Sequence, residues 1–346
     1  MDLAIAHGPP PTGGRIRVEP EDFFVDEVLG FEPDGAGSHV VLRVEKRGAN
    51  TGWVAAQLAR AAGVHVRDVG FSGHKDRRAL TRQAFSMPWP AVTPLDACLA
   101  LAGEGYRVLS ADRHGRKLRP GSHRANRFVL MLRDLDGAVA AIDERLRLIG
   151  EQGVPNYFGP QRFGRDGGNL ARVRAWAEGG PAPRDRAQRG FALSAARSEL
   201  FNLVLDERVR RGDWSRLLPG EAVMLDGRRS FFPAPLIDAV LEERAGRMDV
   251  HASGPLWGRG ESPATDVARE VEDSVGIREP ALIALLAAQG LDHERRSLRL
   301  PVRALSWTHE ARALRVEFEL PRGTFATAVL HELLRDAWDA DESGEE

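Results

Sequence analysis

The stretch GVPNYFGPQRFGRDGGN, residues 153–169, holds five glycines, two prolines and three aromatic residues. So dense a run of turn formers continues neither a helix nor a strand, and it marks a junction between domains. Upstream, RIRVEPEDFFVDEV (15–28) and HVVLRVEK (39–46) are rich in β-branched and aromatic residues and read as strands. Asn50-Thr51 then offers a cap for a helix in which Val54, Leu58 and Ala61 recur at three- and four-residue spacing until Gly63. Strands around 105–110 and 126–133 and a helix over about 137–149 complete an α+β unit. Downstream, 169–178, 194–211, 235–245 and 279–289 carry helical periodicity. From about 297 the strand pattern returns in SLRLPVRALSW and ARALRVEFEL, followed by a helix whose Phe325, Val329 and Leu333 share one face. Strands at both ends with helices between predict one α+β sheet domain interrupted by an inserted, mainly helical one. The expected division is 1–152 for the first part of the sheet domain, 153–300 for the insertion, and 301–346 for the last part with its acidic tail.

The 346 residues suffice for about two domains. Lys+Arg number 48 against 50 Asp+Glu, a net charge of −2. Cys98 is the single cysteine, which excludes an intrachain disulfide and a cysteine-rich metal cluster and fits a reducing compartment. The start MDLAIAHGPPPTGG lacks the basic and apolar regions of a secretory leader, and no run approaches the roughly 18 apolar residues of a membrane span. A cytoplasmic protein with no membrane association is expected. The near-neutral total hides a segregation of charge. Arg113–Arg127 (RHGRKLRPGSHRANR) contains six Lys/Arg and no acid, whereas Asp336–Glu346 contains six acids and no base and reads as a solvated tail. The basic strip is either a solvated strand-turn-strand surface or a track for phosphates. Lysine is scarce: only Lys46, Lys75 and Lys117 occur, the other cations being arginine. Either the bias is genomic and the survivors are accidental, or they sit where a compact ammonium does what a planar guanidinium cannot.

Several stock sites are absent. There is no GxxxxGK[ST] phosphate loop, HELLR at 331–335 lacks the second histidine of a zinc protease helix, and the ten histidines show no ligand spacing, so no metal site is expected. GFSGH around Ser72 does not have the GxSxG spacing of a nucleophile elbow. What remains is Asp76, in a polar segment between a Gly-Phe-Ser-Gly turn and the alternating ALTRQAF, flanked by Lys75, Arg77 and Arg78. A lone acid among bases is ordinarily a solvated turn residue. The functional alternative is a carboxylate kept ionised by its neighbours and able to act as nucleophile or base.

GHKDRRALTRQ at 73–83 resembles the GxKDxxAxTxQ signature of the TruD family of tRNA pseudouridine synthases. Six further blocks resemble the family in the right order: PEDFFVDE (20–27), NTGWVAAQLA (50–59), KLRPGSHRANRF (117–128), VPNYFGPQRFG (154–164), SAARSELFN (194–202) and LPRGTFATAVLHEL (320–333). Together they span nearly the whole chain. The resemblance implies a catalytic domain on a mixed, mainly antiparallel sheet, with the helical TRUD domain inserted into it. It implies conversion of uridine 13 of tRNA to pseudouridine without cofactor or metal, with tRNA as the partner; no protein partner is implied, and a monomer is expected. It places the essential aspartate on Asp76, an asparagine on Asn126, and base-stacking phenylalanines on Phe128 and Phe325. Each phenylalanine could equally be a core residue, and Asn126 a strand-end turn residue.

Beside such a cleft, Arg113, Arg116, Lys117, Arg119 and Arg124 would follow the RNA backbone. Where the resemblance implies a lysine near the first strand, this chain has Arg17, which leaves the partner of Asp76 open between Arg17 and Lys75. A module that binds and reshapes tRNA without chemistry is the competing reading. A small-molecule lyase using a lone aspartate would give the basic strip no role.

Overall fold

The computed structural model describes residues 3–337, and all but the first two residues of the expected acidic tail lie outside the described residues, at 338–346. Chain contacts divide the protein into two compact units.

The first unit, residues 14–136 with 303–323, carries an eight-stranded sheet. Its strands are β1 (Phe23–Leu29), β2 (His39–Arg47), β3 (Gly70–Phe71), β4 (Leu80–Pro88), β5 (Tyr106–His114), β6 (His123–Leu132) and a C-terminal hairpin, Arg303–Glu310 and Ala313–Pro321. The order runs from the hairpin through β6, β1, β4 and β2 to β5, with β3 also on β4. Only β1 and β4 are parallel; every other pairing is antiparallel, so the sheet is mixed and mainly antiparallel as expected. Alternation sorts its side chains. On β2, Val40, Leu42 and Val44 are fully buried and pack with Phe85 and Met87 of β4 beneath helix α1 (Thr51–Ala62), which contributes Val54, Ala55 and Leu58. Gly63 ends α1 in the left-handed region at φ 68°, where its N–H closes the last turn. The opposite face pairs a small apolar cluster of Val41, Ala84 and Leu118 with a charge ladder. There Glu45 lies between Arg82 and Arg107; burial would raise its carboxyl, but the two guanidinium hydrogen bonds outweigh it and hold it below the usual range.

The continuous first strand begins at Phe23; at residue 15 there is only an isolated antiparallel bridge, Arg15 with Arg133. Pro20 has no N–H to give a ladder, and Pro20–Asp22 instead forms a 3-10 turn in which the Glu19 N–H donates to Asp22 (2.9 Å).

The second unit comprises residues 137–302 with the described parts of 1–13 and 324–346. Its longest helix, Arg186–Arg210, starts eight positions before the expected 194 because Asp185 caps it, accepting from Gln188 N at 2.9 Å. It packs Ala192, Ala196, Leu200 and Val204 against Val173, Leu282, Leu286 and the buried face of helix Asp266–Gly276, which the sequence reading lacked. The glycine-rich stretch 153–169 is part of this core: Val154–Pro155 pairs with Arg299–Leu300, and Tyr157, Phe158 and Phe163 are buried. The units part at 13/14, 136/137, 302/303 and 323/324, and helices Val139–Gln152 and Ala326–Leu333 pack on each other within this unit. No helix among the described residues is long and apolar enough to cross a membrane.

Candidate active site

Strand register sets out the floor of the site. Val25 of β1 lies opposite Thr81 of β4 and Phe128 of β6, while Glu27 lies opposite Asn126; on the hairpin strand, Phe318 and Leu320 face Phe128 and Asn126. Because side chains alternate, Glu27, Asn126 and Phe128 therefore rise from the same face of the sheet as Val25, Thr81 and Gln83. Phe128 is nearly buried; its ring stacks on Phe318 (centroids 5.3 Å apart) and meets the edge of Phe23 (6.2 Å). Asn126 is buried, and its side-chain oxygen has no hydrogen-bond partner among the described residues.

Asp76 stands on the loop between β3 and β4. That loop is pinned from below by buried polar groups. Gln83 donates to Gly73 O (3.2 Å), and Thr51, the first residue of α1, accepts from Lys75 N (3.0 Å) while donating to Gln83 (2.8 Å). The Lys75 ammonium turns down into the sheet to Glu27 Oε2 at 2.7 Å, and Glu27, fully buried, accepts from Ala84 N with its other oxygen. Lys75 is therefore not the partner of Asp76. Arg17 is: its guanidinium lies 2.7 Å from Asp76 Oδ2, while Asp76 Oδ1 accepts from Arg78 N at 2.9 Å. Arg17 adopts φ 55°, an uncommon backbone conformation for a residue with a side chain, and its guanidinium lies 4.0 Å above the ring centre of Phe23. Contacts thus run from Asp76 through Arg17 and Phe23 to Phe128. The Asp76 side chain retains 25% exposure, so the carboxylate is held yet reachable.

Phe325 belongs to the other compact unit. It is not inside the last helix, as its spacing suggested, but is the extended residue that precedes it (φ −127°, ψ 133°), half-buried beside Phe158 at 6.0 Å and Arg162 at 5.6 Å. Within the basic strip, the Arg113 guanidinium donates to the carbonyls of Trp89, Pro90, Ala91 and Thr93 and so staples a loop. The Lys117 ammonium donates to Arg67 O, and Arg124 pairs with Glu319 at 3.3 Å. Arg116 and Arg119 are exposed and their side chains have no partner among the described residues. The supporting residues Glu27, Lys46, Thr51 and Gln83 were not singled out as site residues from the sequence, although the scarcity of lysine did draw attention to Lys46.

The family model for tRNA pseudouridine synthase D (TruD) matches residues 4–173 and 185–333. A tRNA pseudouridine synthase D of Nitrosococcus oceani is 47% identical over 335 residues, covering 96% of this chain and 94% of that protein. The corresponding protein of Azotobacter vinelandii is 48% identical over 336 residues, covering 97% and 95%. A crystal structure of the putative tRNA pseudouridine synthase D from Methanosarcina mazei superposes with a TM-score of 0.70 at 19% identity, over 96% of this chain and 95% of that one, and shows that the fold is shared. With the family model spanning most of the chain and relatives near one-half identity end to end, the protein belongs to the TruD family of tRNA pseudouridine synthases.

Proposed function

We propose that the protein isomerises uridine 13 of tRNA to pseudouridine, with Asp76 as the catalytic carboxylate. The observation that carries this reading is the placement of Asp76: half-buried, oriented by Arg17 and Arg78 N, on a loop tied down by buried polar groups. In the reaction the bond from uracil N1 to the ribose C1′ breaks, a bond from C5 to C1′ forms, and the C5 proton leaves to solvent as N1 regains one. Nothing is oxidised or reduced, so the chemistry calls for no cofactor or metal.

A carboxylate beside the ribose can attack C1′ or remove a sugar proton, and both routes use the same ionised oxygen. The nucleotide must first leave its stack, a cost of a few kcal/mol that aromatic contact offsets. Phe128, backed by Phe318, is a rigid wall suited to that contact, and Phe325 keeps the stacking role implied by the resemblance. The side-chain oxygen of Asn126, across from Glu27 on the same face, suits an N–H of the freed base. In this reading the sheet unit is the catalytic domain, the helical segment is the insertion, and the enzyme acts on tRNA in the cytoplasm as a monomer.

Incubation with a tRNA transcript labelled with tritium at uracil C5 tests it. Tritium release, together with a carbodiimide-dependent primer-extension stop at position 13, is expected; tRNA binding with neither signal would instead favour a remodelling module.

Arg116 and Arg119 are the two members of the basic strip left for RNA. Log affinity for tRNA is expected to fall with log salt, and reversing both charges flattens the slope by about 0.7–0.9 for each phosphate no longer neutralised. An unchanged slope would place the RNA elsewhere.

A further inference from the structure

Only three lysines occur in this arginine-rich chain, and two of them meet at the loop that carries Asp76. Lys46 continues the row Val40, Leu42, Val44 along β2, on the face covered by α1, and is itself buried at 1% exposure. Its cross-strand neighbours are Thr81 and Tyr106, neither of them a carboxylate. The ammonium has three N–H bonds to give. They are directed to the carbonyls of Ala49 (2.8 Å), Asp76 (2.9 Å) and Lys75 (3.4 Å). Two of the three acceptors belong to the loop, one of them the main chain of Asp76 itself. A guanidinium, planar and longer, cannot point three donors from one atom.

We infer that Lys46 is a positioning residue for the isomerisation, fixing the main chain under Asp76 so that its carboxylate is delivered at a set height above the sheet. The inference rests on the reading of Asp76 as the catalytic carboxylate. Lys46 does not touch the carboxylate, whose oxygens are engaged by Arg17 and Arg78 N. It acts on the backbone to which that carboxylate is attached. Burial, outweighing the attraction of Asp76, brings the pKa of the ammonium down to about 8. A lysine serving only to fill the core would be replaceable by a methionine of similar length without penalty to the reaction.

The test uses the full-length enzyme and single-turnover tritium release from tRNA with enzyme in excess. Lys46→Met is expected to lower the rate constant by about a hundredfold, the scale of an ångström-sized misplacement of a catalytic group, with the dissociation constant for tRNA unchanged within about twofold. Hydrogen exchange read by mass spectrometry should show protection lost in the peptide covering 72–79 and kept in β6. Lys46→Gln retains two donors on a shorter stem and is expected to lose about tenfold on the same grounds; if Lys46→Met fails to fold, it decides by the same criteria. A rate within threefold of wild type after correction for the folded fraction, or unaltered exchange in the loop, overturns the inference. Asp76→Asn assayed alongside separates the two ideas. If it remains active, the reading of Asp76 has failed; if it is inactive while the Lys46 variants are not, only the positioning role has.

Discussion

Asp76→Asn is expected to lose pseudouridine formation by about a thousandfold or more, the upper part of the range for removing a positioned acid–base or nucleophilic group. The substitution is nearly isosteric. Its oxygen can still accept from Arg78 N, and the loop keeps every buried tie that does not involve the carboxylate: Gln83 to Gly73, Thr51 to Lys75 N, and Lys46 to the main chain. What disappears is the negative charge facing Arg17. Melting temperature and tRNA affinity should therefore stay close to wild type while the rate collapses. Single-turnover tritium release measures the rate, filter binding the affinity. Retained turnover would remove the mechanism and leave the fold and family untouched. Retained affinity without turnover also separates an enzyme from a protein that only reshapes tRNA.

Glu27→Ala is expected to destabilise the protein by about 3–5 kcal/mol, the usual cost of stranding one member of a buried ion pair. Glu27 is fully buried, and its pairing with Lys75 at 2.7 Å is almost entirely shielded from water. Its second oxygen closes a gap in the sheet. On one edge of β4, β1 pairs with Leu80–Arg82 and β3 with Phe85–Ser86, and the intervening Ala84 N–H donates to Glu27. Alanine leaves both an ammonium and an amide without partners in a place water does not reach. Urea denaturation followed by circular dichroism gives the loss. Since the pair is buried, added salt should hardly change it, unlike an exposed pair. The double variant Glu27→Ala, Lys75→Met should cost less than the sum of the singles, because the second change removes the stranded charge. Additive losses would mean the two side chains stabilise the protein independently.

Much of the sheet unit was legible from local pattern. The β-branched run of HVVLRVEK, the three- and four-residue spacing after Asn50 and the stop at Gly63 each depend on neighbours in sequence, and each matches an observed element. The loop position of Asp76 followed from the turn before it and the alternation after it. Other features were not legible, for identifiable reasons. The partner of Asp76 was left between Arg17 and Lys75 because the choice depends on Glu27, 48 positions from Lys75, which takes the lysine away. A hint lay in FFVDEV, where alternation places an acid in the same row as Phe23 and Val25, and a buried acid needs a buried base. The basic strip read as one surface, yet carbonyls and a carboxylate brought up from distant segments engage Arg113, Lys117 and Arg124. Phe325 fitted a helical stripe by spacing, whereas its extended backbone stands just ahead of the first turn.

The pairing of β6 with the strand Ala313–Pro321 bears on how the protein is made. Arg124 and Glu319 meet across that seam although 195 positions separate them. During synthesis the growing chain must therefore carry β6 with an open edge while the whole intervening segment leaves the ribosome, and only the final strands close it. Contacts between such remote positions form slowly, since the loop must be closed before they reward it. An unpaired edge meanwhile invites other strands. Nascent chains halted before residue 313 should accordingly be the ones that engage chaperones or clump, and emergence of the strand Ala313–Pro321 is the step at which this sheet first becomes whole.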